Sequence, residues 1–415
     1  MSTTELPLTR ESIVAAHKLI KPHIHTTPVL TNTTLSNLAS TPQSPEALKG
    51  TPWEGQEPAK PKIRLFFKAE NFQKIGAFKV RGAFHAVLRL VEEKGIEEVR
   101  KKGVVTHSSG NHAQALALAA RTFSIPAHIV MPSISTPSKI SGTRAQGAIL
   151  HFSGSTAPER EAVVADIIKD TGATLIPPYD HPHIMLGQGT MALEFAAEVE
   201  ALLASTPELS VHHKADQGSA AAGEPAAGPA LDALIAPCGG GGMLSGNAIY
   251  FHNTPTRVFG AEPEFEGADD ARRGVEAGER ITSVKTLTIA DGLRTPLGPH
   301  TWKVISDSDY VAGLYAVTEQ QIKDALRLVL ERMKCFVEPS AVVGLATVLY
   351  NEDFRHMVER EAGEDGWDIG LIFSGGNTTI DAIVNMFSDV SESKAQREEG
   401  VVGADGRKVA ENVAG

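Results

Sequence analysis

Lys79 lies in "KAENFQKIGAFKVRGAFHAV", residues 68–87, between Phe78 and Val80 and close to Gly76, Ala77, Gly82 and Ala83. Apolar flanks of this kind point to a buried segment, and the glycines imply that something approaches the backbone. An amine in an apolar pocket loses part of its preference for charge, and in its neutral form it attacks aldehydes. A lone lysine is more often solvated or ion-paired. A second stretch, "CGGGGMLSG" at 238–246, sets Gly239, Gly240, Gly241 and Gly242 between an apolar strand and a helix beginning near Met243. Backbone N–H groups converge there without intervening side chains and with a helix dipole behind them, which suits a phosphate. A plain glycine-rich turn is one alternative. A dinucleotide site with Glu262 as the ribose-binding acid is another. No Gly-Lys-Ser/Thr follows, which excludes a nucleoside-triphosphate loop. Together the amine and the cradle select a cofactor with both a phosphate and an aldehyde, pyridoxal 5'-phosphate (PLP).

Two further stretches have the right chemistry. In "LIFSGGNTT", Ser374 ends an apolar strand and can hydrogen-bond a ring heteroatom, or equally cap a helix. In "THSSGNHAQA", Ser108, Ser109, Gly110 and Asn111 form a strand-to-helix turn able to hold a carboxylate, or again a mere cap.

These residues need a scaffold that presents strand ends side by side. From "GVVTHSS" onward, short apolar strands alternate with helical periodicity: "PAHIVMP", a helix near 137–146, "AILHF", "APEREAVVADIIKDTG", "ATLIPPY". That alternation gives βαβ units and an α/β fold with parallel sheets. A helix is expected from Lys79 to near Gly95 and another over "ESIVAAHKLIKPHI". Residues 41–62 read as an exposed loop, 204–230 as a low-complexity excursion, and the chain from about 388 as a charged tail.

With 415 residues the chain is long enough for two or three domains without disulfides or metals. A net charge of -11 and no Lys/Arg cluster argue against nucleic-acid binding. The two cysteines, Cys238 and Cys335, form no metal spacing and fit a reducing compartment. Neither a signal peptide nor a membrane-spanning run is evident, so a cytoplasmic protein without a membrane partner is expected.

"GAFKVRGA", "SSGNHAQA", "GQGTMALE", "PCGGGGMLSG", "IADGLRT", "VEPSAVVG" and "FSGGN" occur in the order seen in fold type II PLP enzymes. The set resembles the serine racemase and serine/threonine dehydratase branch, from about residue 12 to 385. The resemblance implies the tryptophan synthase β-like fold. Residues 1–70 and 185–387 would form a large PLP-binding domain, 100–180 a small mobile domain, and 71–99 the connection carrying the lysine, with 388–415 as a tail. It implies that Lys79 carries the cofactor and acts as base on one face, with Phe78 beside the ring and Asn111 on its hydroxyl. Gly239, Gly240, Gly241, Gly242 and Met243 would hold the phosphate, and Ser374 the pyridine nitrogen. A serine there, unlike an aspartate, does not keep the nitrogen protonated, which favours elimination or reprotonation over transamination. Ser109 corresponds to the racemase's second acid/base, where dehydratases have alanine. Ser108, Ser109, His112, Arg160 and Thr295 would contact substrate. In "GAEPEFEGADD", Glu262, Ala268 and Asp270 match a divalent-cation loop for Mg²⁺, or Ca²⁺ or Mn²⁺, here two residues longer; a solvated acidic loop is the alternative.

The implied activity is removal of water and ammonia from L-serine or L-threonine by a homodimer, possible serine racemisation included. Serine racemase as the main activity and 3-hydroxyaspartate dehydratase are close alternatives. A non-catalytic PLP carrier and a dinucleotide-dependent dehydrogenase belong to other classes.

Overall fold

The computed structural model describes residues 7–213 and 230–388. Most of the expected excursion and the tail after 388 therefore lie outside the described residues. Among the described residues ten strands run in chain order: β1 Val29–Thr31, β2 Ile63–Ala69, β3 Val104–His107, β4 Ala127–Pro132, β5 Ile149–Ser153, β6 Thr174–Leu175, β7 Ala233–Pro237, β8 Arg257–Pro263, β9 Gly313–Val317 and β10 Trp367–Phe373. They form a six-stranded sheet of order β1-β2-β10-β7-β8-β9 and a four-stranded one of order β5-β4-β3-β6. Every pairing is parallel except that of β1 with β2. The α/β expectation holds.

β10 shows why. Its sequence "WDIGLIF" is buried along its whole length, the near-continuous apolar run of a parallel strand covered on both faces. Where "ATLIPPY" promised a comparable strand, β6 has two residues, because Pro177 and Pro178 have no N–H for a ladder. The 41–62 segment is mostly exposed, as expected, but it is pinned to the fold at its two ends. Gln43 donates to Glu352 Oε1 at 2.5 Å and the Ala59 N–H to Glu352 Oε2 at 2.7 Å. Arg355 closes the clamp on the carbonyls of Thr41 and Ala59.

Six helices matter for the site: α1 Arg10–Ile20, α2 Lys79–Lys94, α3 Asn111–Thr122, α4 Pro182–Ser205, α5 Gly242–Phe251 and α6 Asp270–Ala277. In α2, Val80, Ala83, Phe84, Val87 and Leu90 recur at helical spacing and are all buried; Gly95, at φ 81°, stops the helix where expected. What approaches Gly82 is helix α4. A Cβ on Gly187 would lie 2.6 Å from the Gly82 Cα, and one on Gly189 2.5 Å from the Gly246 carbonyl oxygen. The "GQG" of "GQGTMALE" thus lets α4 touch the backbones of α2 and α5.

A buried ionic network locks this contact. Arg81 of α2 reaches Glu70 at 2.8 Å and Glu194 of α4 at 2.6 Å, and Lys68 of β2 bridges Glu194 at 3.2 Å and Glu198 at 2.8 Å. Burial opposes ionisation of Glu194, yet the hydrogen bond from His17 and the charges of Arg81 and Lys68 hold its carboxyl far below the usual range. Removing one partner of such a set strands a buried charge, a cost of about 3–5 kcal/mol. The residues from Thr378 onward form a separate unit, described as a helix over 380–388.

Candidate active site

Lys79 is the first residue of α2, and the turn that delivers it is clipped to the chain leaving β10. The Phe78 N–H donates to the Ser374 carbonyl at 3.1 Å, and the Gly376 N–H to the Gly76 carbonyl at 2.9 Å. Lys79 Nζ donates to the Pro178 carbonyl at 2.9 Å and sits 5.0 Å from the centre of the Phe78 ring. The residue is half-buried by surface area, but protein surrounds the amine itself. Burial pushes its pKa down to about 8, and the nearby Glu338 charge resists the shift. The amine therefore gives up its proton far more readily than a solvated lysine does.

At the carboxyl end of β7 the chain enters the glycine loop. Gly241 takes a left-handed φ of 83°, and Gly242 begins α5. The first-turn N–H groups of a helix have no intrahelical acceptor, so they remain donors for an anion. A Cβ on Gly240 would lie 2.4 Å from the Tyr179 ring, which packs flat on the loop; Met243 is buried behind it.

The "SSGN" turn follows β3. Helix α3 has Gly110 as its N-cap with no side-chain cap bond, so neither serine is a cap. Ser108 Oγ accepts a long 3.4 Å bond from the Gly110 N–H, and the half-buried Ser109 hydroxyl has no partner among the described residues. His112 Nε2 donates to the Ile176 carbonyl at 3.2 Å, which leaves Nδ1 as a buried acceptor without a donor among the described residues. Burial and the Lys79 charge push its pKa down to about 3, so it is neutral. Ser374 is buried, and it caps nothing either: Thr379 caps the helix that follows.

Two residues outside the expected set join these pieces. Asn111 Nδ2 donates to Glu338 Oε1 at 3.0 Å, the Asn377 N–H donates to Glu338 Oε2 at 3.1 Å, and Asn377 Nδ2 donates to Asn111 Oδ1 at 2.7 Å. Glu338 thereby binds the "SSGN" turn to "FSGGN". An acid within the apolar run "VEPSAVVG" was the available signal, since an unpaired acid is seldom buried. Its carboxyl is raised from 4.5 to about 7, chiefly by burial and then by Asp291. Between those values the folded chain holds the proton more tightly, so this group favours folding least above about pH 7. Glu338→Gln should therefore lose less thermal stability than the wild type between about pH 5 and about pH 8; parallel melting profiles would refute the assignment.

Other expected residues lie outside this cluster. Arg160 is half-buried, donates to the Ser155 carbonyl at 2.7 Å, and is near enough to depress the His107 pKa, though less than burial does. Thr295 is exposed beyond the turn Asp291–Leu293. Neither hydrogen-bonds to the Lys79 and Glu338 group.

Glu262, near the end of β8, is fully buried and accepts the N–H groups of Ala271 at 3.1 Å and Arg272 at 2.8 Å from the start of α6. Burial and then the Asp270 charge push its carboxyl well up, and burial raises Asp270 to about 6. Ala268 is buried nearby, while Asp269 is already held by Arg272 and Arg273. Two buried carboxylates that repel each other suit a hard divalent cation.

A deprotonation-prone lysine, an anion cradle and an unsatisfied imidazole, all at strand ends of an open parallel α/β scaffold, define an enzyme for a phosphorylated carbonyl cofactor. The chain belongs to the pyridoxal-phosphate dependent enzymes, whose family profile matches residues 47–375. It is 37% identical over 378 residues to the serine racemase of Arabidopsis thaliana, covering 91% of this chain and 95% of that protein. It is 35% identical over 377 residues to the beta-hydroxyaspartate dehydratase of Paracoccus denitrificans, covering 90% and 98%. Maize serine racemase shares the fold with a TM-score of 0.71 at 34% identity, over 95% of this chain and 99% of that one.

Proposed function

We propose that this enzyme eliminates the β-hydroxyl of small β-hydroxy amino acids as water and releases ammonia when water is taken up again by the resulting enamine, L-serine or L-threonine giving pyruvate or 2-oxobutanoate plus ammonia, and that it also racemises serine. The observation that carries this is Lys79: an amine with its pKa pushed down to about 8 and bonded to the Pro178 carbonyl, next in sequence to the Tyr179 ring that packs against Gly240 of the anion cradle. PLP bound there supplies the electron sink that acidifies the substrate Cα–H. Lys79 would hold the cofactor and take the α-proton. The N–H groups of Gly239 to Met243 would hold its phosphate, Asn111 its ring hydroxyl and Ser374 its ring nitrogen. Ser108, Ser109 and His112 would bind substrate, with Arg160 and Thr295 reaching it from outside the cluster. Glu262, Asp270 and the Ala268 carbonyl would bind Mg²⁺, or Ca²⁺ or Mn²⁺ by the same oxygen chemistry.

Racemisation as the main activity is the second reading. The partnerless Ser109 hydroxyl favours it, since a free hydroxyl is what a second acid/base needs. The Paracoccus relative supports 3-hydroxyaspartate as a further substrate. The resemblance supports a cytoplasmic homodimer in which residues 100–180 move against the larger domain. No helix among the described residues is long and apolar enough to cross a membrane.

Product assays on both enantiomers of serine, on L-threonine and on 3-hydroxyaspartate test the proposal. We expect pyruvate or 2-oxobutanoate, with Mg²⁺ raising the melting temperature through about 2.7 kcal/mol of stabilisation at a hundredfold excess over Kd. A chain that retains a visible cofactor band yet turns over none of these amino acids is a carrier, and the proposal fails.

A further inference from the structure

At the amino-terminal ends of β7 and β10, away from the glycine loop, His212, Asp232 and Asp368 bring an imidazole nitrogen and two carboxylate oxygens within 4.8 Å of one another. Asp232 directly precedes β7 and Asp368 is the second residue of β10. The register Ile369 to Ala233 sets the two acids opposite each other on neighbouring strands, where like charges are destabilising. Asp368 is buried, Asp232 half-buried and His212 exposed, so the group opens to solvent through the imidazole. His212 Nε2 lies 2.7 Å from Asp232 Oδ2, which also accepts the Asp368 N–H at 2.6 Å. Asp368 Oδ1 accepts the Val211 N–H at 2.9 Å, and Ser210 Oγ donates to Oδ2. Asp232 is thus paired with an imidazole rather than with a lysine or arginine.

We infer that this is a second metal site, for a divalent transition ion with Zn²⁺ foremost, and that His212 Nε2, Asp232 and Asp368 are its protein ligands. One imidazole and two carboxylates form a donor set that Zn²⁺ takes at about 2.0–2.2 Å. Small side-chain rotations close atoms spaced within 4.8 Å around such an ion, and Ser210 Oγ or water completes a tetrahedron. Mg²⁺ and Ca²⁺ prefer all-oxygen sets, so the imidazole separates this site from Glu262 and Asp270. A bound ion cancels the repulsion between the two acids and ties the residues on either side of 214–229 to the end of the sheet.

The test is equilibrium dialysis of the holoenzyme against ZnCl₂ with Mg²⁺ saturating, zinc being measured by elemental analysis. The wild type and a control altered at another exposed histidine outside the group, His25→Ala, should each bind one equivalent that His212→Ala and Asp368→Asn lack. Zn²⁺ should raise the melting temperature of the first two proteins and leave that of His212→Ala unchanged. His212 is exposed, so its variant folds and decides the matter even if Asp368→Asn does not. A wild type that takes up no zinc overturns the assignment. So does a His212→Ala variant that keeps the wild-type stoichiometry and melting shift.

Discussion

Lys79→Ala should yield a protein at least as stable as the wild type when both are free of cofactor, and without useful turnover. In the folded chain the amine is pushed down from 10.5 to about 8, by burial first and against the pull of Glu338. The unfolded chain binds that proton more tightly. The group's unfavourable contribution is therefore fully present below about pH 8 and fades as pH rises toward 10.5. Alanine relieves that cost and gives up one hydrogen bond, to the Pro178 carbonyl. The catalytic loss is of another order. The side chain would both hold the cofactor and move the α-proton, so the rate should fall by about 10⁴-fold or more, the upper end for one positioned acid/base. The visible band of the bound cofactor should vanish with it. Spectra, melting curves and pyruvate assays on one preparation check all three, and an undiminished rate would end the assignment.

Ser109→Ala separates the two leading activities. The helix cap that once competed as an explanation is gone, since Gly110 is the N-cap of α3 and makes no side-chain bond. If the hydroxyl exchanges the α-proton on the face opposite Lys79, alanine should abolish racemisation and any dehydration of D-serine, by roughly 10²- to 10⁴-fold. Dehydration of L-serine should survive in part, because Lys79 still reaches its proton. Equal loss on both enantiomers would instead make Ser109 a carboxylate ligand, and unchanged rates on both would leave it without a role in either reaction.

What was legible in the sequence was local. The glycine loop, the apolar run of β10 and the stop of α2 at Gly95 each follow from a few consecutive residues, and each stands where expected. The misread features depend on partners far along the chain. Glu338 is held on one side by Asn111, 227 residues earlier, and on the other by the Asn377 N–H, and no spacing rule links it to Asn111. Gly82 signalled a close approach correctly, but only the fold shows that the approaching group is α4. Likewise Glu352 and Arg355, remote in sequence, supply the contacts that pin the exposed 41–62 loop.

The place of β10 between β2 and β7 also sets a schedule for synthesis. A middle strand of the larger sheet is, among the described residues, the last strand to leave the ribosome. At about 5–20 residues per second, the roughly 300 residues that separate β2 from β10 take about 15–60 s to emerge. The free edge of β2 waits that whole interval for β10 and that of β7 the last roughly 130 residues of it, and Arg81 waits for Glu194, 113 residues downstream of it. Open parallel edges are templates for pairing with other chains. The nascent polypeptide is therefore most exposed to aggregation while still being made, and chaperones that act at the ribosome should raise its yield more than those that act after release.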